Sequence, residues 1–278
     1  MRVFILCTVV ILSLSALGAE TIKVMSYNLR YASDRKPNAW PDRLPVMKEC
    51  LEEADPDLIG TQEGVYHQLR DLEQALEEYR WIGTGRDGGS GGEFMAIFYK
   101  HERLEPMEFD HFWVSDTPEV VGSTTWGNSN RRMVTWVRFK DRESEREFYL
   151  VNTHFDHQIQ PAREKSAELL LSRLKKLNPD LPIIVTGDFN AKAGANKTYD
   201  ILLDNGWLTD TWHTAKEKRG EVVATFNGFR AAIPGDNRID WILTRNVEPP
   251  LWTEIITCKK NDQIPSDHFP VIVELRLK

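Results

Sequence analysis

Two mixed β-sheets packed face to face, with helices on the outside, is the α/β architecture predicted by this 278-residue chain. Three features carry that expectation. Strand-like alternation and helix-like spacing of apolar residues take turns along the first hundred positions. In the middle, two long alternating segments flank a short charged turn, which is the pattern of an antiparallel hairpin. No Pro/Gly/Ser-rich linker, low-complexity tract or internal repeat divides the chain. A mixture of hairpins and crossover helices is satisfied by two sheets sharing a core, with helices covering their outer faces.

The elements follow in order. "IKVMSYNLR" alternates as a strand, and "PDRLPVMKECLEEADPD" carries helical spacing up to a proline-containing stop. "LIGTQEG" is a second short strand. "VYHQLRDLEQALEEY" returns to the helical period with Leu69, Leu72 and Leu76 on one stripe, and "WIGTG" and "FMAIFY" return to strand. "RMVTWVRFKD" and "REFYLVNTHFD" form the hairpin around "RESE". A helix at "REKSAELLLSRLKKL" precedes the strand "PIIVTGDFN"; then come a helix around "YDILLDN", strands at "RIDWILT" and "EIITCK", and the closing strand "FPVIVELRL". The Gly-rich run 85–94, "GRDGGSGGEF", lacks the Gly-Lys-Ser/Thr ending of a phosphate loop and leads into a strand, so a flexible surface loop is expected there.

Residues 1–19 have one arginine, an apolar stretch through Leu17 that is short for a bilayer span, and a small-residue exit at Gly18-Ala19. They describe a secretory signal peptide, followed by one domain over 20–278 in the secreted or periplasmic space. Cys7 lacks the preceding small residues of a lipidation site, so no stable membrane anchor is expected. Cys50 and Cys258 form no metal-type spacing; they are two thiols or one bridge. A net charge of −7 excludes a protein that holds polyanions by a broad basic surface, but leaves room for a local basic mouth.

Polar residues stand at successive strand ends. "GDFNA" puts Asp188 and Asn190 one residue apart, on one side of an extended chain while Phe189 turns inward. "SYN" places Asn28, "GTQEG" Glu63, "VNTHFD" His154, "RIDWI" Asp240, and "SDHFP" Asp267 and His268. Each has an ordinary explanation alone: a turn for Asp188 and Asn190, a loop acid for Glu63, a pair with Arg238 for Asp240, core imidazoles for the two histidines. On one shared rim they converge on one pocket.

The ordered set "SYNLR", "GTQEG", "NTHFD", "GDFNA", "RIDWI" and "SDHFPV" resembles the endonuclease/exonuclease/phosphatase, or DNase I-like, superfamily across essentially the whole mature chain. That resemblance implies a four-layered α/β sandwich and Mg²⁺-dependent cleavage of a phosphoester by in-line attack of water, with Mn²⁺ as a substitute. It implies Glu63 as principal metal ligand, supported by Asn28 and Asp267. Asp188 and Asn190 would orient water and a phosphate oxygen. Asp240 would hold His268 as base or transition-state stabiliser, and His154 would contact phosphate or assist the leaving group. Glu93 falls where the DNase I-like branch places an acid that partners this second histidine. Hard oxygen donors and a few retained waters suit Mg²⁺.

"RYASDRKPNAWPDR" and "SNRRMVTW" bring Arg30, Arg35, Lys36, Arg131 and Arg132 near the rim together with Trp40 and Trp126. Arg132 is the expected phosphate contact, because an arginine fork matches phosphate oxygens. Solvated positions suit Arg35, Lys36 and Arg163 as well, and either tryptophan fits the core. The expected substrate is a compact phosphomonoester or phosphodiester, acted on by a monomer. The alternatives are a secreted nuclease, which the acidic charge disfavours, and a catalytically silent binding domain, which the chemically competent residue at every motif position disfavours.

Overall fold

The computed structural model describes residues 21–277; the expected signal peptide lies outside them. Seven strands form one sheet: β1 (Thr21–Asn28), β2 (Leu58–Gln62), β4 (Tyr79–Ile82), β6 (Ile97–Lys100), β12 (Glu217–Arg219), β14 (Trp252–Ile255) and β15 (Val271–Arg276), in the order β12-β14-β15-β1-β2-β6-β4. Six form the other: β7 (Leu104–Trp113), β8 (Met133–Asp141), β9 (Glu147–His154), β10 (Ile183–Asp188), β11 (Thr209–Asp210) and β13 (Asp240–Arg245), in the order β11-β13-β10-β9-β8-β7. A small ribbon pairs β3 (Gly64–Val65) with β5 (Glu93–Phe94). Both large sheets are mixed: β1 runs parallel to β2 and antiparallel to β15, and β10 runs parallel to β9 and antiparallel to β13.

The period of two assigns each side chain to a layer. Ile22 and Val24 of β1, Leu58 of β2, Leu150 of β9, Ile184 of β10 and Ile242 of β13 meet in the core between the sheets. Their neighbours in sequence point the other way. Met25 and Ile59 pack outward against Met47 and Leu51 of α1 (Trp40–Ala54) and Leu69 and Leu72 of α2 (Tyr66–Ala75). Val151, Val185 and Leu243 pack against Ala167, Leu170 and Leu174 of α3 (Gln160–Leu174) and Leu202 of α4 (Lys197–Leu203). A one-turn helix, α5 (Thr211–Thr214), follows β11. The result is helix, sheet, sheet, helix: the four-layered sandwich.

The helix at 40–54 starts with proline in its first turn and stops where Asp55 turns left-handed at φ 48°. The hairpin around 142–145 is present as β8 and β9. β7 was not anticipated: "LEPMEFDHFW" includes a proline, four consecutive exposed residues and a register shift between Pro106 and Glu108, features of an edge strand that needs no apolar alternation. The Gly-rich run is a tight turn, with Gly85 N–H donating to Gly89 O and Arg86 N–H to Glu93 O. It aims Arg86 and Glu93 at the cavity described below instead of forming a mere surface loop. Cys50 and Cys258 are free thiols, adjacent to one another. No helix among the described residues is long and apolar enough to cross a membrane.

Candidate active site

Reading up the inter-sheet face of each strand, apolar residues give way to polar ones. β1 runs Ile22, Val24, Ser26, Asn28; β9 runs Leu150, Asn152, His154; β10 runs Ile184, Thr186, Asp188. The same alternation that builds the core therefore delivers carboxylate, amide and imidazole to one end of it. Register completes the arrangement, since Asp188 is paired with His154 on one side and Asp240 on the other.

Beneath these groups lies a buried polar clamp that joins the two sheets. Asn152 Nδ2 donates to Thr61 O (2.7 Å) and Ala96 O (3.1 Å), while its Oδ1 accepts from Gln62 Nε2 (2.7 Å) and Thr186 Oγ1 (3.1 Å). The clamp requires Gly60, because a Cβ there would stand 2.0 Å from Thr186 Oγ1. It fixes the residue before Glu63 and the residue two before Asp188. The motif reading passed over Asn152, although its spacing of two from His154 places both on one strand face.

At the rim, Asn28 Nδ2 donates to Glu63 Oε1 (3.1 Å) and Asp188 Oδ2 (3.0 Å), and its Oδ1 accepts from the backbone of Arg30 (2.9 Å). In this arrangement Asn28 orients the two carboxylates and turns its oxygen away from them. Arg30 is held at φ 53°, with its guanidinium 3.6 Å from both Glu63 and Asp267. Asn190 does not share a side with Asp188 by strand alternation. It adopts φ 48°, its N–H bonding Asp188 Oδ1 (2.9 Å), so the turn and the functional pair are the same structure. Its amide still enters the cavity, donating to Phe155 O (3.1 Å) and meeting His154 Nε2 at 3.1 Å.

The two histidines are in opposite electrostatic states. His268 places Nδ1 2.9 Å from Asp240 Oδ2 and Nε2 3.7 Å from Asp188 Oδ2. Burial disfavours its charge, but those two carboxylates outweigh that and raise its pKa to about 10, making it an imidazolium. His154 is held well below the usual histidine range by burial and by Arg132 and Arg86, so it is neutral. Its Nε2 meets the Asn190 amide and lies 3.5 Å from Asp188 Oδ2, while Nδ1 is buried without a partner. Burial, with the charge of Asp240, raises Asp188.

The expected pairing of Glu93 with His154 is not what the fold forms. Glu93 is bound by Arg86 Nη1 at 2.6 Å, and its carboxyl is raised by burial in spite of that arginine. Arg86 competes for the acid with a full charge, while neutral His154 offers none. Both Glu93 and Arg86 line the cavity. Beside them Arg132, 3% exposed, donates Nη2 to His157 Nδ1 (3.2 Å) and leaves Nε and Nη1 unpartnered. Arg86, His157 and Asn130 were missed by motif reading: Arg86 lies in the Gly-rich run expected to be a surface loop, Asn130 beside the arginine pair, and His157 just past the "NTHFD" motif. Trp40 instead packs in the core with Nε1 on Asp71, Trp126 bonds Asp116, and Arg131 pairs with Asp87.

Asn190, Arg132, His154, Asp188, Glu63, Asp267 and His268 border one cavity of about 470 Å³, with Asp240 directly behind His268. Ligand atoms of Glu63, His154 and Asp188 lie within 4.8 Å of one another. Asp267 Oδ1 is buried with no hydrogen-bond partner, and its carboxyl is raised by burial and by the charge of Glu63. A set of crowded carboxylate oxygens with an unsatisfied acceptor fits a hard divalent cation, and no thiol lines it.

Comparison with known proteins agrees with this geometry. The sequence matches the Endonuclease/Exonuclease/phosphatase family over residues 25–268. Among solved structures it is similar to a mannosyl-6-phosphatase of Bacteroides thetaiotaomicron VPI-5482, with 35% identity, TM-score 0.86, and 91% of this chain and 99% of that one covered. A family member from Bacteroides vulgatus superposes with TM-score 0.87 at 32% identity, covering 93% and 100%. An uncharacterized protein of Acanthamoeba polyphaga mimivirus is 28% identical over 254 residues, 84% of this chain and 91% of its own. The chain thus belongs to the endonuclease/exonuclease/phosphatase family and is a metal-dependent hydrolase acting on phosphoester bonds.

Proposed function

We propose that this protein is an exported, Mg²⁺-dependent phosphoesterase that hydrolyses a compact substrate, a sugar-linked phosphate ester. The observation that carries the substrate size is Arg132: a buried guanidinium with two free donors, in a cavity of about 470 Å³ whose other wall is carboxylate. Such a fork receives one phosphate group, not a polymer backbone. The sugar-phosphate chemistry in the name of the Bacteroides thetaiotaomicron relative supports the same class, and the leader-like residues 1–19 support export.

Glu63 and Asp267 would hold the cation, with Asn28 fixing Glu63 and Asp188 in place. The bound cation supplies Lewis-acid polarisation of a phosphate oxygen. Arg132 takes non-bridging oxygens with Nε and Nη1. Asp188 and Asn190 orient the attacking water; its oxygen bonds to phosphorus as the bond to the alcohol oxygen breaks, Asp188 takes the water's proton, and the departing alcohol oxygen is protonated from solvent. His268, kept protonated by Asp240, stabilises the charge that develops on phosphate, and neutral His154 lies beside it with Nε2 at Asn190 and Asp188. Glu93 holds Arg86 against this wall. It acts as a positioning residue.

The test is kcat/KM with Mg²⁺ for hexose phosphates, p-nitrophenyl phosphate, bis-p-nitrophenyl phosphate and linear duplex DNA at rising NaCl. Small esters are expected to be cleaved faster than DNA. A chain that cleaves DNA faster, with a log-log salt slope corresponding to several phosphate contacts at about 0.9 each, is a nuclease and this reading is wrong.

A further inference from the structure

A second cavity, about 200 Å³, opens beside the first and shares Arg30 and Tyr31 with it. Ser33, Arg35, Lys36, Asn38 and Phe229 complete its lining. In a chain of net charge −7, this lining holds three cationic side chains and no carboxylate. Arg35 makes no ion pair among the described residues, and Lys36 reaches only Asp42, at 3.8 Å with its side chain 83% exposed. Arg30 pairs with Glu63 and Asp267 of the main cavity, but the charge of Arg35 and Lys36 is not spent on holding the fold.

The walls are rigidly built. Buried Arg43 donates Nη1 to Leu29 O and Pro265 O (both 2.8 Å), Nη2 to Arg30 O and Tyr31 O (both 3.0 Å), and Nε to Asn38 O (3.1 Å). Gln68 Nε2 also donates to Arg30 O (3.0 Å). On the opposite wall the N–H of Phe229 bonds Asn227 Oδ1 (2.7 Å), and Asn227 N–H bonds Asp267 O (2.8 Å). Both walls are therefore tied to the segment carrying Asp267. Tyr31 is 39% exposed, with the Arg30 guanidinium 4.3 Å from its ring centroid. An aromatic ring at the junction between a phosphate site and a cationic side cavity offers a face to a sugar or polyol ring.

We propose that this side cavity is a leaving-group subsite, which takes a second phosphoryl group carried by the sugar or polyol whose ester is cleaved in the main cavity. The inference rests on the compact-phosphoester reading and extends it from one phosphate to two. A dianionic phosphoryl group matches an unpaired arginine fork and an adjacent lysine better than a neutral hydroxyl does.

The test compares hexose 6-phosphate with the matching hexose 1,6-bisphosphate, with Mg²⁺, for the wild-type chain and an R35A/K36A double variant. Both substitutions fall on exposed loop positions outside the catalytic groups. The wild type is expected to favour the bisphosphate in kcat/KM by about tenfold or more, the scale of one charge-assisted hydrogen bond, chiefly through KM. The double variant is expected to lose that preference and keep its rate on the monophosphate; Arg35→Glu should reverse the preference. Turnover of the monophosphate with no wild-type preference, or a preference that survives in R35A/K36A, overturns the subsite and leaves the compact-phosphoester reading intact. Hydrolysis of neither sugar phosphate by folded wild-type protein overturns that reading, and the subsite with it.

Discussion

Asn152 makes four side-chain hydrogen bonds at the junction of the sheets, and Asn152→Ala removes all of them. Not every partner is orphaned. Gln62 Nε2 keeps Gly60 O at 3.1 Å, Ala96 O keeps the Thr61 N–H and hydroxyl, and Thr186 Oγ1 keeps Val151 O at 3.3 Å. Counting about 1 kcal/mol net for each lost bond, and subtracting for partners that remain satisfied, gives a loss of about 3 kcal/mol. That is roughly a hundredfold in the folding equilibrium. The damage should reach the chemistry as well, because Gln62 precedes Glu63 and Thr186 stands two residues before Asp188. Urea unfolding followed by tryptophan fluorescence measures the first effect, and Mg²⁺-dependent turnover at low urea measures the second. Asn152→Asp, which keeps the acceptors and sets a carboxylate against two carbonyls, should be at least as harmful. If Asn152→Ala costs less than about 0.5 kcal/mol, within the range of an ordinary surface substitution, the clamp does not hold the sheets and the reasoning fails.

Glu63→Gln is expected to lower turnover by orders of magnitude, and EDTA to abolish wild-type activity until Mg²⁺ or Mn²⁺ is restored; full activity in EDTA sinks the assignment of Glu63 to a metal. His268→Ala should cost about 10²-fold or more in kcat with the unfolding midpoint little changed, whereas near-normal kcat would make the Asp240–His268 pair structural. For acid stability, Asp141 is the informative carboxylate: burial pushes it upward, but the hydrogen bonds and charge of Arg103 prevail and hold it below the usual range. A group depressed in the folded state stabilises fully above its unfolded pKa, about 3.9, and loses that contribution as pH falls through its lower folded value. Asp141→Asn should therefore be less stable than wild type at pH 7, and the gap should close below about pH 4; a gap independent of pH would exclude this linkage.

What could be read before the fold was the part governed by period. Alternation placed Asn28, Asp188 and His154 on strand ends, and the apolar residues four positions earlier, Val24, Ile184 and Leu150, placed them on one face. Charge competition could not be read that way. Glu93 stands where an acid for His154 was expected, yet it bonds Arg86, seven residues away in sequence and across a glycine turn whose shape depends on positive-φ positions at Gly88, Gly89 and Gly92. The left-handed turn at Asn190 was equally hidden: "GDFN" is compatible with continued extension, and only the bond from its N–H to Asp188 decides against it. β7 lay beyond pattern reading because an edge strand meets solvent along much of its length and selects few side chains.

Net charge offers the clearest case of a global quantity that misleads about a local one. At −7 the chain gives no sign of an anion site, and charge alone argues only against tracking a long polyanion. The fold resolves the apparent conflict by separating the signs within a few residues of one another. Glu63, Asp188 and Asp267 gather on the wall that suits a cation, Arg86 and Arg132 gather opposite, and Arg30 lies between the main cavity and its cationic neighbour. Asn28 orients the carboxylates, Glu93 holds Arg86, and Arg43 fixes the Arg30 segment through its carbonyls. Opposed walls of this kind bind a phosphate through its oxygens on one side and a metal on the other, and their reach ends within the two cavities. On the proposed reading, a substrate of one or two phosphates would satisfy both walls, while a longer polyanion would gain nothing from either once its third phosphate lay outside them.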